Sequence, residues 1–216
     1  MTGLVAERVR ANLAAVRDEI AHAAKRAGRD ATGVEVLAAV KYVAPDDLGV
    51  LAEAGITLVG ENRAQELEAK AAAYPGVFTW DFIGQLQSRK VKVIAPLVRR
   101  IHSVASDSAL RQLDRHARPG LEFLVEVNIS GEEGKAGIAP GELGAFVERC
   151  PFAPAGLMTM PPLAEQPEDS RRWFAAAREL AERHGLRELS MGTTQDFTVA
   201  VEEGATIVRI GTRLYH

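Results

Sequence analysis

The chain has 216 residues, of which 47% are hydrophobic and 25% charged, proportions that support a sizeable core and exclude disordered and collagen-like classes. A formal net charge of -3, with Lys and Arg scattered along the chain, creates no field suited to a nucleic-acid backbone. The one cysteine, Cys150, excludes an internal disulfide and a Cys-rich zinc site and reads as a buried structural thiol.

The opening MTGLVAERVRANL carries Glu7, Arg8 and Arg10 and lacks the apolar stretch of a secretory signal. No segment approaches the roughly 18 charge-poor apolar residues of a membrane span. A cytoplasmic protein is expected. Leu4, Val5, Val9, Leu13, Val16 and Ile20 recur at helical spacing, so residues 4–27 form one amphipathic helix ending before Gly28. VEVLAAV (34–40) is short and almost wholly apolar, as a strand buried on both faces requires, and Lys41 follows it directly.

The same grammar then repeats. Helix 45–54 precedes strand 56–60, and helix 63–74 precedes strand 78–84. Helix 91–98 precedes strand 100–104, and helix 108–117 precedes LEFLVEVNI, strand 121–129. Helix 141–149, strand 155–158, helix 168–184, strand 188–191, helix 198–203 and strand 206–210 complete the series, with Pro161–Pro167 as a loop. Eight strands alternating with helices, joined by connections that suit right-handed crossovers, close most economically into a (β/α)8 barrel of one domain over residues 1–216, with an extra N-terminal helix. A doubly wound open sheet is the structural alternative.

Barrels of this class work at the carboxyl ends of their strands. The residues found there are Lys41, then Glu61 and Asn62, Gly84 and Gln85, Ser103, Asn128, Met158 and Thr159, Gly192 to Thr194, and finally Gly211 and Thr212. A lysine continuing strand one is expected at the rim of the interior, partly withdrawn from water, where its neutral amine can hold an aldehyde as a Schiff base. Position alone fits a lysine reaching out to solvent equally well. Gly192 with Thr193 and Thr194, and Gly211 with Thr212, follow strands seven and eight, where such barrels often hold phosphate on backbone amides and hydroxyls. Individually these are ordinary capped turns; two in neighbouring loops are more specific. Arg209 lies in an apolar strand and should face the interior, needing an acceptor there: Glu35, Glu126, or a ring nitrogen of a bound cofactor. His22, His102, His116, His184 and His216 show no ligand spacing, so no metal is expected, and His102 reads as a core or rim residue.

The ordered segments LAAVKYV, GENRAQEL, WDFIGQLQSRK, IHSVAS, VEVNISGEEGKAGI, GLMTM and LSMGTTQDFTVAVEEGATIVRIGTR resemble the pyridoxal-phosphate homeostasis family, itself similar to the barrel domain of alanine racemase. The resemblance covers nearly the whole chain. It implies pyridoxal 5'-phosphate held as a Schiff base on Lys41, with Arg209 facing the pyridine nitrogen. Thr194, Gly192, Gly211 and Thr212 would lie at the phosphate, and Asn62 would line the pocket. Asp81, where the family usually has His, and Thr193–Thr194 in place of a Met-Ser pair depart from the pattern.

The resemblance also implies a protein that binds, buffers and delivers the cofactor, with effects on amino-acid and keto-acid balance and with apoenzymes as conceivable recipients. The rivals are an amino-acid racemase and a Schiff-base aldolase using Lys41 without cofactor. Alanine racemase takes its opposite-face base from a tyrosine of a second domain. Here Tyr42 should alternate away from the site, and Tyr74 and Tyr215 lie in a helix end and at the C-terminus, so efficient racemisation is not expected. No large apolar stripe stands out, which favours a monomer.

Overall fold

The structure is a computed structural model that describes residues 3–216. Its eight strands are β1 (Glu35–Ala39), β2 (Leu58–Glu61), β3 (Thr79–Phe82), β4 (Arg100–Val104), β5 (Glu122–Glu126), β6 (Gly156–Met158), β7 (Glu188–Thr193) and β8 (Ile207–Ile210). Each pairs in parallel with the next, and β8 pairs with β1 through Glu35↔Ile207 to Ala38↔Ile210, so the sheet closes. The open-sheet alternative is thereby removed.

Around the barrel run α1 (Ala6–Arg26), α2 (Leu48–Glu53), α3 (Ala64–Ala73), α4 (Val91–Ile94), α5 (Asp107–His116), α6 (Leu143–Glu148), α7 (Arg171–Arg183), α8 (Phe197–Glu202) and α9 (Thr212–Tyr215). The expected helix at 91–98 is cut to one turn preceded by a 3-10 turn at Ser88–Lys90. Pro96 explains the stop: Ala95 keeps helical backbone, at φ -55° and ψ -36°, but the proline has no N–H to continue the hydrogen-bond ladder. The expected helix from 168 starts at Arg171, after a 3-10 turn at Pro167–Ser170. The last helix, α9, is an element that the sequence reading did not include.

Val9, Leu13, Val16, Ile20, Ala23 and Ala24 are the buried stripe of α1, which packs against α2, α8 and α9 in the outer layer. The main core lies between the helices and the outer face of the sheet. A second, small cluster of Leu37, Leu124, Met158 and Ile207, flanked by Leu58 and Ile83, fills the middle of the lumen. Strand alternation therefore sends Ala39, Asp81, His102, Glu126, Ser190 and Arg209 inward as well. The lumen is apolar at its waist and polar on either side of it. Among the described residues no helix is long and apolar enough to cross a membrane.

Candidate functional site

β1 ends at Ala39, and the chain turns at Lys41 and Tyr42. Lys41 is exposed, with its Nζ 4.6 Å from the centroid of the Tyr42 ring. Two expectations are corrected by this turn. The amine is not withdrawn from water, and Tyr42 does not point away from it; the alternation that predicted both stops where the strand does.

The end of β1 is nonetheless firmly held. The Val40 N–H donates to the Gly60 carbonyl at 2.9 Å, and the Val40 carbonyl accepts from Lys70 Nζ at 2.8 Å. The Tyr215 hydroxyl donates to the Ala39 carbonyl at 3.1 Å. Lys70 is 1% exposed and also donates to Glu61 Oε2 at 2.6 Å, while Glu61 Oε1 accepts from the Asn62 N–H at 2.6 Å. A single buried ion pair thus ties the backbone before Lys41 to the backbone of Asn62. Sequence reasoning missed it, although a signal existed: Ala64, Leu67 and Lys70 share one helical face, and a lysine on an apolar stripe demands a buried acceptor.

Gly84 is required at the end of β3, because a Cβ there would lie 2.0 Å from the Asn62 carbonyl oxygen. Gly84→Ala is expected to displace the Asn62 loop and destabilise the protein by about 1–3 kcal/mol. A lower urea midpoint with an unchanged denaturant slope would register it.

On the opposite side of the mouth, Gly192 has φ +86°, and a Cβ on it would come within 2.5 Å of the Ala200 Cβ. Glycine is the residue that this turn admits. The Gly211 N–H donates to Thr194 Oγ1 at 3.3 Å, which joins the loops after β7 and β8. Thr193 is turned to Asp196, donating to its Oδ1 from backbone N at 2.8 Å. Thr212 is exposed at the start of α9. Gly192, Thr193, Asp196 and Arg209 line a cavity of about 490 Å³ that is covered by the Pro-rich segment after β6. Asn62 lies apart from it, in a depression of about 120 Å³ shared with Gln85 and Gln87.

Arg209 points inward as expected, 6% exposed, but with different acceptors from those foreseen. Nη1 donates to Ser190 Oγ at 2.6 Å and Nη2 to the Thr159 carbonyl at 3.0 Å. Glu35 is engaged at the other end of β1, accepting from Arg99 at 2.6 and 3.0 Å. Glu126 makes no hydrogen bond to Arg209; burial pushes its carboxyl up, and the nearby guanidinium partly opposes that rise. Burial pushes Arg209 itself down to about 10, against the pull of Asp196 and Glu126, so it remains a cation at neutral pH.

His102 is fully buried, with Nδ1 2.9 Å from Ser190 Oγ and Nε2 3.1 Å from Asp81 Oδ2. Cys150 is only half-buried; burial still pushes its thiol up to about 11 and keeps it unreactive. Among the described residues no cluster of three or more His, Cys, Asp or Glu is placed to hold a metal ion.

No protein-family model matches the sequence. A protein of Aquifex aeolicus named pyridoxal phosphate homeostasis protein is 39% identical over 94% of this chain and 95% of its own length. One of the same name from Pseudomonas aeruginosa is 37% identical over 94% of this chain and 93% of its own. The chain belongs to the pyridoxal phosphate homeostasis protein family. Among solved structures, PipY of Synechococcus elongatus with PLP bound superposes with a TM-score of 0.78 at 28% identity, covering 96% of this chain and all of that one. Against the family pattern, the departure at Asp81 is buried in the lumen and paired with Arg99 and His102, away from the loops after β7 and β8.

Proposed function

We propose that this protein binds, buffers and delivers pyridoxal 5'-phosphate inside the cell, with Lys41 as its covalent anchor. The observation that carries the proposal is one barrel mouth bearing a primary amine after β1, paired donor loops after β7 and β8, and a guanidinium on the floor between them. That donor set fits the cofactor: an amine for an aldehyde, amides and hydroxyls for a phosphate dianion, and a donor-only cation for a pyridine nitrogen.

When bound, the cofactor supplies an aldehyde that can be exchanged between amines. The exposed Lys41 amine would hold that aldehyde with loss of water, and its access to solvent would leave the link open to an incoming amine or to water. Gly192 lets the loop backbone approach closely, and the Gly211 N–H holds Thr194 Oγ1, so that the Thr194 hydrogen, with the Thr212 hydroxyl, would be free to donate to the phosphate. Arg209 has no proton acceptor and so leaves the ring nitrogen unprotonated, which weakens the cofactor as an electron sink.

These features favour a carrier over a racemase. The Tyr74 hydroxyl accepts from the Gly49 N–H at 3.2 Å, and the Tyr215 hydroxyl is committed to the Ala39 carbonyl. The test is addition of pyridoxal phosphate to purified protein, followed by borohydride reduction and peptide mapping. A visible absorbance band and one phosphopyridoxyl group on the Lys41 peptide are expected; a colourless, unmodified protein would refute the proposal. Fast conversion of L-alanine to D-alanine on chiral analysis would replace the carrier by a racemase.

A further inference from the structure

The lumen holds an unbroken file of polar side chains beneath the proposed ring-nitrogen partner. Arg209 Nη1 donates to Ser190 Oγ at 2.6 Å, Ser190 Oγ lies 2.9 Å from His102 Nδ1, and His102 Nε2 lies 3.1 Å from Asp81 Oδ2. Arg99 then donates to both oxygens of Asp81, at 3.1 Å from Nε and 2.7 Å from Nη2, and reaches Glu35 beyond. All members between Arg209 and Asp81 are at least nine-tenths buried, so each proton in the file must have a defined place.

Polarity follows from what each group can do. An arginine only donates, so Ser190 Oγ accepts from Arg209 and has its own hydrogen free for His102. The order is set from the other end: the Asp81 carboxylate only accepts, so the neutral His102 ring carries its proton on Nε2, and the bare Nδ1 takes the Ser190 hydrogen. Asp81 in turn accepts from Arg99, which allows the carboxylate to stay ionised. The charged groups facing His102 are Asp81, Arg209 and Arg100, and the balance agrees with the geometry. Burial pushes the imidazolium down against the pull of Asp81, and both arginines oppose a second proton. For Asp81, burial acts upward but is outweighed by hydrogen bonds from His102 and Arg99, which hold the carboxyl below its usual range.

We infer that Asp81 is a positioning residue for Arg209: by fixing His102 as the neutral Nε2–H tautomer, it draws the Ser190 hydrogen to Nδ1 and so aims the hydroxyl's lone pairs at the guanidinium on the floor of the mouth. This rests on the proposed role of Arg209 for its functional meaning, while the proton order is a property of the protein without cofactor. A carboxylate or carbonyl behind a histidine fixes its tautomer and orientation in this way elsewhere in proteins.

The test is long-range ¹H–¹⁵N spectroscopy of the labelled, cofactor-free protein, with the His102 signals assigned by their loss in His102→Gln. Nδ1 bare and Nε2 protonated at neutral pH is the expected result. In Asp81→Ala the Nε2 proton loses its acceptor, so Nε2–H is no longer the single tautomer; Asn would not serve, because the oxygen that faces Nε2 also takes the 2.7 Å bond from Arg99. After loading, release of pyridoxal phosphate should accelerate about tenfold, as for loss of one buried hydrogen bond. If Asp81→Ala fails to fold, Ser190→Ala carries the release measurement, with the same tenfold expectation.

A protonated Nδ1 in the wild type would overturn the inference. So would a folded Asp81→Ala that keeps Nε2–H as its single tautomer, or a Ser190→Ala that releases cofactor at the wild-type rate. A wild type that shows the expected tautomer but takes up no cofactor would defeat the proposed function and leave the proton order standing.

Discussion

Lys41→Ala protein mixed with pyridoxal phosphate should remain colourless and carry no phosphopyridoxyl group at position 41 after borohydride. Lys41 is exposed, and its amine lies over the Tyr42 ring, which itself is 66% exposed. Removing it should therefore leave the fold unaltered, with a stability change within about 0.5 kcal/mol. What is lost is the covalent bond. The loops after β7 and β8 retain their donors, so weak binding of the phosphate persists. Apparent affinity is expected to fall about a hundredfold, equivalent to about 2.7 kcal/mol. Equilibrium dialysis measures that residue of binding directly. A yellow Lys41→Ala protein with wild-type affinity would mean that another amine holds the cofactor.

The second large effect lies behind the site. In Lys70→Met, Glu61 would keep its backbone donors but lose the 2.6 Å ion pair while remaining fully buried. An uncompensated charge of this kind costs about 3–5 kcal/mol, a large share of the total stability of about 5–15 kcal/mol usual for a domain. Urea unfolding should shift accordingly. The double variant Glu61→Gln with Lys70→Met, which removes both charges, should recover a substantial part of the loss. If the single and double variants were equally destabilised, packing rather than charge would be the source. Because Lys70 also holds the Val40 carbonyl at 2.8 Å, the single variant should loosen the turn that carries Lys41.

The barrel was legible because its signals are local and periodic. VEVLAAV and LEFLVEVNI are too continuous in apolar residues for surface strands, and the helix–strand alternation leaves few ways to bury both faces. Boundaries were less legible. Strand five was expected over 121–129 but pairs over Glu122–Glu126, since apolar residues continue past the last ladder bond into the loop. Helix α4 was overestimated because helical spacing persists across Pro96, where the backbone cannot follow.

At the site, inward-pointing Arg209 and the Gly192 turn were readable from alternation and residue type. Glu35, one of three acceptors considered for Arg209, pairs with Arg99 instead, because period-two reasoning gives the face of a strand and says nothing of depth: Glu35 and Arg209 face the same lumen from opposite ends. The Asp81–His102–Ser190–Arg209 file was invisible for a related reason. Its members come from β3, β4, β7 and β8, and only closure of the barrel makes them neighbours. Lys41 was placed correctly along the chain and wrongly in depth, because the strand stops two residues before it.

Closure has a temporal consequence as well. β1, the strand leading to the reactive amine, pairs with β8 from Glu35↔Ile207 to Ala38↔Ile210, and its last carbonyl is held by Tyr215. A growing polypeptide emerging from the ribosome exposes Lys41 early and the loops after β7 and β8 last. Joining segments so distant in sequence also exacts the loop-closure entropy of nearly the whole chain. Under the proposed function, nascent chains would meet free aldehyde long before they could retain it, and retention would begin when the ring of strands is shut.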